Sequence, residues 1–142
     1  MEYVKLGNTG LEVSKICLGR MSFGDPTKWI HSWVLNEEDS RKIIKKSLDL
    51  GINFFDTANV YGLGASEEIL GRALKDYANR DEIVIATKVS GAMGEGPNSS
   101  GLSRKAIINE VEKSLNRLGI FYIFIDGIMK HLLKKQCVLL MI

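Results

Sequence analysis

Cysteine and histidine are scarce in this 142-residue sequence, which contains two of each. Cys17 and Cys137 are far apart and lie in apolar runs, a pattern that favours buried free thiols in a reducing compartment over a disulfide framework. His31 has no second histidine, cysteine or glutamate near it at the spacing of a metal site. We therefore predict no metal site, a core position for Cys17, and a loop position for His31 between aromatic side chains.

Strong net charge and a targeting segment are also lacking. The formal net charge is +2, and no basic patch is interleaved with aromatic residues, so we predict no nucleic-acid partner. The N-terminal Met-Glu-Tyr-Val-Lys-Leu-Gly has no basic region followed by an apolar core, which predicts no signal peptide. We expect a cytoplasmic protein with no membrane partner.

The composition that is present is ordinary for a folded domain. Hydrophobic residues make up 45% of the chain and charged residues 25%, which favours neither a disordered nor a fibrous protein. The length corresponds to one domain that can bury a sizeable core.

Apolar runs typical of strands alternate with longer segments of helical period. A hairpin is predicted over 3–6 and 11–14, followed by buried strands at 16–18, 53–56 and 82–87. Each of these three strands precedes a predicted helix, and the helices begin at the caps Asn36, Ser66 and Ser103. The second helix is expected to bury one apolar face, made of Ile69, Leu70, Ala73, Leu74 and Tyr77. The repeated strand and helix order predicts a parallel sheet.

Two parallel architectures fit this order, an open doubly wound sheet and a closed barrel. A dinucleotide-binding open sheet requires a glycine-rich turn that leads at once from the first strand into a helix. Here Gly19-Arg-Met-Ser-Phe-Gly24 has too few glycines at the wrong spacing, and a long loop follows. The barrel is therefore favoured.

Three polar side chains stand where predicted strands run into loops. Asp56 and Tyr61 follow the second of the three strands, and Lys88 follows the third. The carboxyl ends of parallel strands form the floor of an active site. The set suggests that Tyr61 gives a proton to a carbonyl oxygen, that Lys88 favours its phenolate by charge, and that Asp56 holds Lys88. Taken singly, these residues could also be a turn cap, a rim aromatic and a solvated charge, but together at this spacing they favour the active-site interpretation.

Five motifs in register resemble the aldo-keto reductases, in particular the aryl-alcohol dehydrogenase-like branch. They are Lys5-Leu-Gly-Asn-Thr-Gly-Leu-Glu-Val-Ser14, Leu18-Gly-Arg-Met-Ser-Phe-Gly24, Asn53-Phe-Phe-Asp-Thr-Ala-Asn-Val-Tyr-Gly62, Ser66-Glu-Glu-Ile-Leu-Gly-Arg-Ala-Leu74 and Ala86-Thr-Lys-Val89. The resemblance implies an α/β fold, the N-terminal part of a (β/α)8 TIM barrel with about three β/α units after a β-hairpin. The family-like domain is predicted to span residues 1–118.

The resemblance also implies a reaction, the reduction of a small-molecule aldehyde or ketone with NADPH, NADH being left open. It assigns Tyr61 as the general acid, Lys88 as the cation beside it, and Asp56 as the carboxylate bonded to that cation. Met21 and Asp56 are the positions that the resemblance suggests for contact with the cofactor. Arg20, beside Met21, is not a residue that we expect there.

Residues 119–142 do not resemble the family, which carries a fourth catalytic residue, a histidine, after the next strand. Back-translated and read from the third base of each codon, this segment allows the string His-Arg-Trp-Asp-Tyr-Glu, as the family carries there. We therefore interpret 119–142 as an out-of-frame tail and do not assign His131 to the site. We expect a truncated reductase with little or no activity. The alternatives are a noncatalytic fragment that self-associates through unpaired sheet edges, and a membrane-surface peptide carried on a partial barrel.

Overall fold

The computed structural model describes residues 1–120 and 138–141. Within these ranges the strands, numbered in chain order, are β1 Tyr3–Lys5, β2 Glu12–Ser14, β3 Cys17–Gly19, β4 Phe54–Asp56, β5 Val84–Lys88 and β6 Val138–Met141. The helices are α1 Glu37–Asp49, α2 Ala65–Tyr77 and α3 Arg104–Leu118. In this described part of the chain, no helix is long and apolar enough to cross a membrane.

The predicted N-terminal hairpin is confirmed. Strands β1 and β2 pair antiparallel, with Val4 opposite Val13. Asn53 ties the hairpin to the main sheet, because its Oδ1 accepts from the Ser14 N–H at 2.7 Å and its Nδ2 donates to the Glu12 carbonyl at 3.0 Å. Asn53 immediately precedes β4, so the hairpin lies at the amino ends of the strands and leaves their carboxyl ends clear.

The main sheet has the strand order β3-β4-β5-β6. The first three strands are parallel neighbours, and Leu18, Phe55 and Ile85 form one row across them. Each of these strands is followed by a helix, as the sequence predicted. This arrangement of parallel strands and helices is consistent with part of a barrel.

Strand β6 departs from the expected pattern because it runs antiparallel to β5. It pairs along Ile85–Lys88. Four residues of the predicted tail therefore cover this edge of β5, which is not one of the unpaired sheet edges that the self-association alternative requires. Among the described residues, β3 ends the sheet without a further partner strand.

Two of the three predicted helix caps are confirmed. Asn36 Oδ1 accepts from the Asp39 N–H at 3.0 Å, and Ser103 Oγ accepts from the Ala106 N–H at 3.2 Å. The prediction for α2 is wrong, since its cap is Gly64, at a φ of 101°, and Ser66 lies inside the helix. Ser66 is fully buried and its hydroxyl bonds to other parts of the chain, which removes it from the capping role.

The core lies between the main sheet and the helices. Its fully buried members include Ile44 of α1, Phe55 of β4 and Leu70 of α2. The predicted apolar face of α2 is confirmed except at Tyr77, which is 40% exposed. Tyr77 is the last residue of the helix, beyond the core, and its hydroxyl accepts from Arg41 Nε at 3.3 Å.

The predicted core position of Cys17 is wrong, and so is the buried character of its strand. Cys17 and Gly19 are exposed, while Leu18 between them is half-buried and packs on the core. Successive side chains of a strand point to opposite faces, so Cys17 lies on the face away from the helices. As β3 is also an edge strand, that face has less protein over it than a central strand would have.

Candidate active site

Asp56 and Lys88 end two neighbouring parallel strands and meet at the carboxyl edge of the sheet. Asp56 is the last residue of β4, and Lys88 is the last residue of β5. The Lys88 Nζ lies 2.6 Å from each carboxylate oxygen of Asp56. Their side chains are 30% and 33% exposed, so this ion pair is open to a ligand at the rim of the sheet.

A third acceptor completes the surroundings of the Lys88 ammonium. The backbone carbonyl of Thr57 lies 2.8 Å from Nζ. An ammonium group has three donors, and here both oxygens of Asp56 and the Thr57 carbonyl are within hydrogen-bond distance of it. Lys88 is therefore a charge held in one place rather than a freely solvated side chain.

Tyr61 lies at the start of a tight turn that leads directly into α2. Its N–H donates to the Ala58 carbonyl at 3.2 Å. The next three residues, Gly62, Leu63 and Gly64, have left-handed φ angles of 57°, 52° and 101°. Glycine adopts such angles without steric cost, whereas Leu63 is strained there. The path from Tyr61 to the first turn of α2 is therefore sharply defined.

The turn brings the phenol ring of Tyr61 to the ion pair. Lys88 Nζ lies 5.3 Å from the centroid of the Tyr61 ring, within the range over which a cation and an aromatic face attract each other. Tyr61 is half-buried. The structure thus brings together Asp56, Tyr61 and Lys88, the three side chains that the sequence analysis selected.

Met21 lies at the same edge of the sheet. It follows Arg20, whose backbone N–H donates to the Asp56 carbonyl at 3.1 Å, and its own side chain is 41% exposed. Met21 is therefore available to a ligand that approaches the carboxyl edge near Asp56.

Arg20 points the other way, into the protein. The residue has no exposed surface, its guanidinium carbon lies 5.2 Å from the centroid of the Phe55 ring, and none of its three side-chain nitrogens has a hydrogen-bond partner among the described residues. Burial lowers the pKa of Arg20 to about 9, against the opposing attraction of Cys17, Asp56 and Glu67. At neutral pH it is a buried charge, and no hydrogen-bond partner for it lies in the described part of the chain.

An aromatic ladder extends from Tyr61 through the loop before α1. The Trp29 ring lies 6.4 Å from that of Tyr61 and 4.7 Å from that of His31, and His31 stacks on Trp33 at 4.8 Å. The expected place of His31 between aromatic side chains is confirmed. The contact of Trp29 with Tyr61 was missed, although the aromatic richness of the loop was visible in the sequence.

Across residues 1–120 and 138–141, no group of three or more His, Cys, Asp and Glu side chains is arranged to hold a metal ion. His131, which the sequence analysis did not assign to the site, lies outside the described residues.

Comparison with known families identifies the family to which the chain belongs. The model of the aldo/keto reductase family matches residues 15–127. The chain belongs to the aldo/keto reductase family. The match extends past residue 118, where the sequence analysis ended the family-like domain, and that boundary stays a prediction.

Curated relatives of this aldo/keto reductase chain are similar over most of its length. Versiconal hemiacetal acetate reductase of Aspergillus parasiticus is 41% identical over 96% of the chain. Aldo-keto reductase YhdN of Bacillus subtilis is 41% identical over 87%, and a Schizosaccharomyces pombe protein of the aryl-alcohol dehydrogenase type is 41% identical over 84%. The matched part covers 43%, 36% and 40% of these relatives, so the chain spans about two fifths of their length.

Sequence reasoning also missed a set of buried polar residues behind the trio. Ser66, Glu67 and Thr87 have no exposed surface, and each forms a side-chain hydrogen bond. Ser66 was expected to cap α2, and Glu67 follows it in the same motif. A glutamate among apolar helix positions is a signal that could have been followed.

Proposed function

We propose that this chain carries a carbonyl reductase site, which reduces an aldehyde or ketone to an alcohol with NADPH, NADH being the alternative donor. The observation that carries the proposal is the placement of the Lys88 ammonium, 2.6 Å from both oxygens of Asp56 and 5.3 Å from the ring centre of Tyr61. A phenol beside a fixed cation is suited to give up a proton. Membership of the aldo/keto reductase family supports an oxidoreductase.

Each member of the trio has one role in this reaction. The Tyr61 hydroxyl gives its proton to the carbonyl oxygen of the substrate as that oxygen gains negative charge. Lys88 stabilises the phenolate that remains, and Asp56 with the Thr57 carbonyl keeps the Lys88 ammonium in place. NADPH, when bound, supplies the hydride that adds to the carbonyl carbon. One hydride and one proton convert the carbonyl to an alcohol.

Met21 and Asp56 are the residues that we assign to the nicotinamide end of the cofactor. Their fit rests on the exposed side chain of Met21 and on the backbone hydrogen bond from Arg20 to Asp56, which holds the two strand ends together. A thioether is polarizable and adapts to a flat ring. Met21 and Asp56 at this edge of the sheet are therefore suited to contact the nicotinamide end of the cofactor.

NADPH oxidation with an aromatic aldehyde tests the proposed function. The sequence predicts little or no activity, because no histidine of this chain is assigned to the fourth catalytic position. With Asp56, Tyr61 and Lys88 in place, we propose that slow turnover remains. Tyr61→Phe should abolish that turnover, since phenylalanine has no proton to give. Tyr77→Phe removes the same hydroxyl from an exposed residue outside the trio and should leave it unchanged. A chain without turnover, or one whose turnover survives Tyr61→Phe, would contradict the proposal.

We also propose the barrel architecture and the tail boundary. The consecutive order of the parallel strands β3, β4 and β5 supports the N-terminal part of a (β/α)8 barrel, and the cytoplasmic location stays a prediction. Residues 119–142 are proposed to be out-of-frame translation. The nucleotide sequence tests this, since a second frame that does not continue as an aldo/keto reductase would overturn it.

A further inference from the structure

The first turn of α2 carries two polar side chains with no exposed surface, Ser66 and Glu67. Ser66 Oγ donates to the Arg20 carbonyl at 2.9 Å and lies 3.1 Å from Thr57 Oγ1. Since the single proton of Ser66 is used for Arg20, Thr57 must be the donor in the second contact. One hydroxyl thus joins the residue that follows β3 to the residue that follows β4.

Glu67 makes the corresponding connection to β5 and α3. Its Oε1 accepts from Thr87 Oγ1 at 2.6 Å, and its Oε2 accepts from Arg117 Nε at 2.6 Å. Arg117 in turn donates to Ser114 Oγ at 3.1 Å. A buried carboxylate is tolerated when it is paired and hydrogen-bonded, and both oxygens of Glu67 are bonded here.

The hydrogen bonds of Ser66 to Thr57 and of Glu67 to Thr87 reach residues that are adjacent in the sequence to the proposed catalytic residues. Thr57 follows Asp56, Thr87 precedes Lys88, and the Tyr61 turn runs directly into α2. Thr57 is bonded on both sides, because its carbonyl also accepts from Lys88 while its hydroxyl bonds to Ser66. A displacement of the first turn of α2 would therefore move the support of all three catalytic side chains.

We propose that Ser66 and Glu67 are positioning residues, which hold Asp56, Tyr61 and Lys88 in one arrangement from behind the sheet without touching the substrate. The inference rests on the proposed function for the roles of the trio, but its geometry can be tested without turnover. Misplacement of a reacting group by about 1 Å can cost on the order of a hundredfold in rate, which is why such a support matters to a reductase.

The test uses the whole chain labelled with ¹⁵N at lysine. The hydrogen bonds of the Lys88 ammonium to three acceptors within 2.8 Å should slow the exchange of its protons with water and give a resolved proton-nitrogen signal, assigned by its loss in Lys88→Met. Thr87→Val removes the hydroxyl that bonds Glu67 and keeps the shape, while Thr87→Ser keeps the hydroxyl. Ser66→Ala is matched by Ser40→Ala, since Ser40 is a fully buried serine of α1 whose hydroxyl donates to the Leu35 carbonyl at 3.2 Å.

We expect Thr87→Val and Ser66→Ala to shift or broaden the Lys88 signal, and Thr87→Ser and Ser40→Ala to leave it as in the wild type. A Lys88 signal that is unchanged in folded Thr87→Val, or that changes equally in Ser40→Ala, would overturn the proposal. If Ser66→Ala does not fold, the comparison of Thr87→Val with Thr87→Ser decides the test. In the aldehyde assay the Thr87→Val rate should fall about tenfold. An inactive wild type would refute the proposed function alone, since the Lys88 signal still decides this inference.

Discussion

The guanidinium of Arg20 lies over the ring of Phe55, with 5.2 Å between the guanidinium carbon and the ring centroid, and no hydrogen-bond partner for its nitrogens is found in the described part of the chain. The contact with the ring offsets only a small part of the cost of removing a charge from water, since such contacts are worth about 2 kcal/mol when desolvated. An unpaired buried charge costs roughly 3–5 kcal/mol. The buried charge of Arg20, which lies behind the proposed site, therefore destabilises the folded protein.

Replacement of Arg20 by an apolar side chain of similar length should stabilise the protein. We expect Arg20→Met to raise the free energy of unfolding in urea at pH 7 by roughly 1–4 kcal/mol. Arg72→Met is the matched control, because the Arg72 side chain is 51% exposed and paired with Glu37. An exposed pair is worth about 0–1 kcal/mol, so this control should be neutral or slightly destabilising. An Arg20→Met protein less stable than the wild type would show that the charge has a partner.

The difference in stability between Arg20→Met and the wild type should depend on pH in the alkaline range. The folded pKa of Arg20 is about 9, well below the usual value of an arginine, so the folded state loses this proton first. The destabilisation by the charge is full below pH 9 and becomes smaller as the pH rises above 9. The stability advantage of Arg20→Met should narrow over that window.

Glu110 connects the Tyr61 loop to α3 and should make the fold sensitive to acid. It is buried, its Oε1 lies 2.7 Å from Lys113 Nζ, and its Oε2 accepts from Asn59 Nδ2 at 3.1 Å. Burial acts to raise the pKa of Glu110, but the hydrogen bonds from Lys113 and Asn59 outweigh it and hold the pKa below its usual 4.5. A depressed carboxyl pKa stabilises the fold above pH 4.5, and this contribution is lost as the pH falls through the folded value.

The measurement compares urea unfolding of the wild type and of Glu110→Gln from pH 7 down to pH 3. We expect a deficit of roughly 1–3 kcal/mol for the variant at neutral pH, which shrinks below pH 4.5. Glu112→Gln removes the same charge from an exposed position of α3 and serves as the control for net charge. If the difference in unfolding free energy between the wild type and Glu110→Gln stays constant with pH, the two hydrogen bonds to Glu110 do not depend on its charge.

Features set by neighbouring residues could be predicted from the sequence. Asn36 and Ser103 were identified as caps because a cap bonds an N–H three residues away, and the β1-β2 hairpin follows from two short runs and a glycine turn. The grouping of Asp56, Tyr61 and Lys88 was predictable because parallel strands end at the same edge. Their catalytic roles stay a prediction.

Features that depend on which other elements pack against a strand or helix could not be predicted in this way. Cys17 lies in an apolar run, yet its exposure depends on which strands flank β3 and on which face the helices cover. Ser66 has the residue type of a cap, but Gly64 takes that place because the backbone after Tyr61 is left-handed for three residues. The bonds of Glu67 to Thr87 and Arg117 join residues 20 and 50 positions away, and no local pattern indicates them.

Gly71 tests how closely α2 must approach the end of α3. A Cβ built at Gly71 would lie 2.6 Å from the backbone carbonyl oxygen of Leu118, which cannot move aside as the end of a flexible side chain could. Alanine is a better helix former by about 1 kcal/mol, but the displacement that it forces should cost roughly 1–3 kcal/mol. We expect Gly71→Ala to lower the free energy of unfolding, and Gly96→Ala, which meets nothing within 4 Å, to leave it unchanged.

The displacement should also reach the proposed active site. Leu118 follows Arg117, so a shift of the end of α3 lengthens the 2.6 Å bond between Arg117 and Glu67. Gly71→Ala should therefore perturb the Lys88 ammonium signal in the same sense as Thr87→Val, although residue 71 lies a full helical turn from Glu67. If Gly71→Ala lowers stability while the Lys88 signal stays as in the wild type, the helix contact and the support of the catalytic residues are independent of each other.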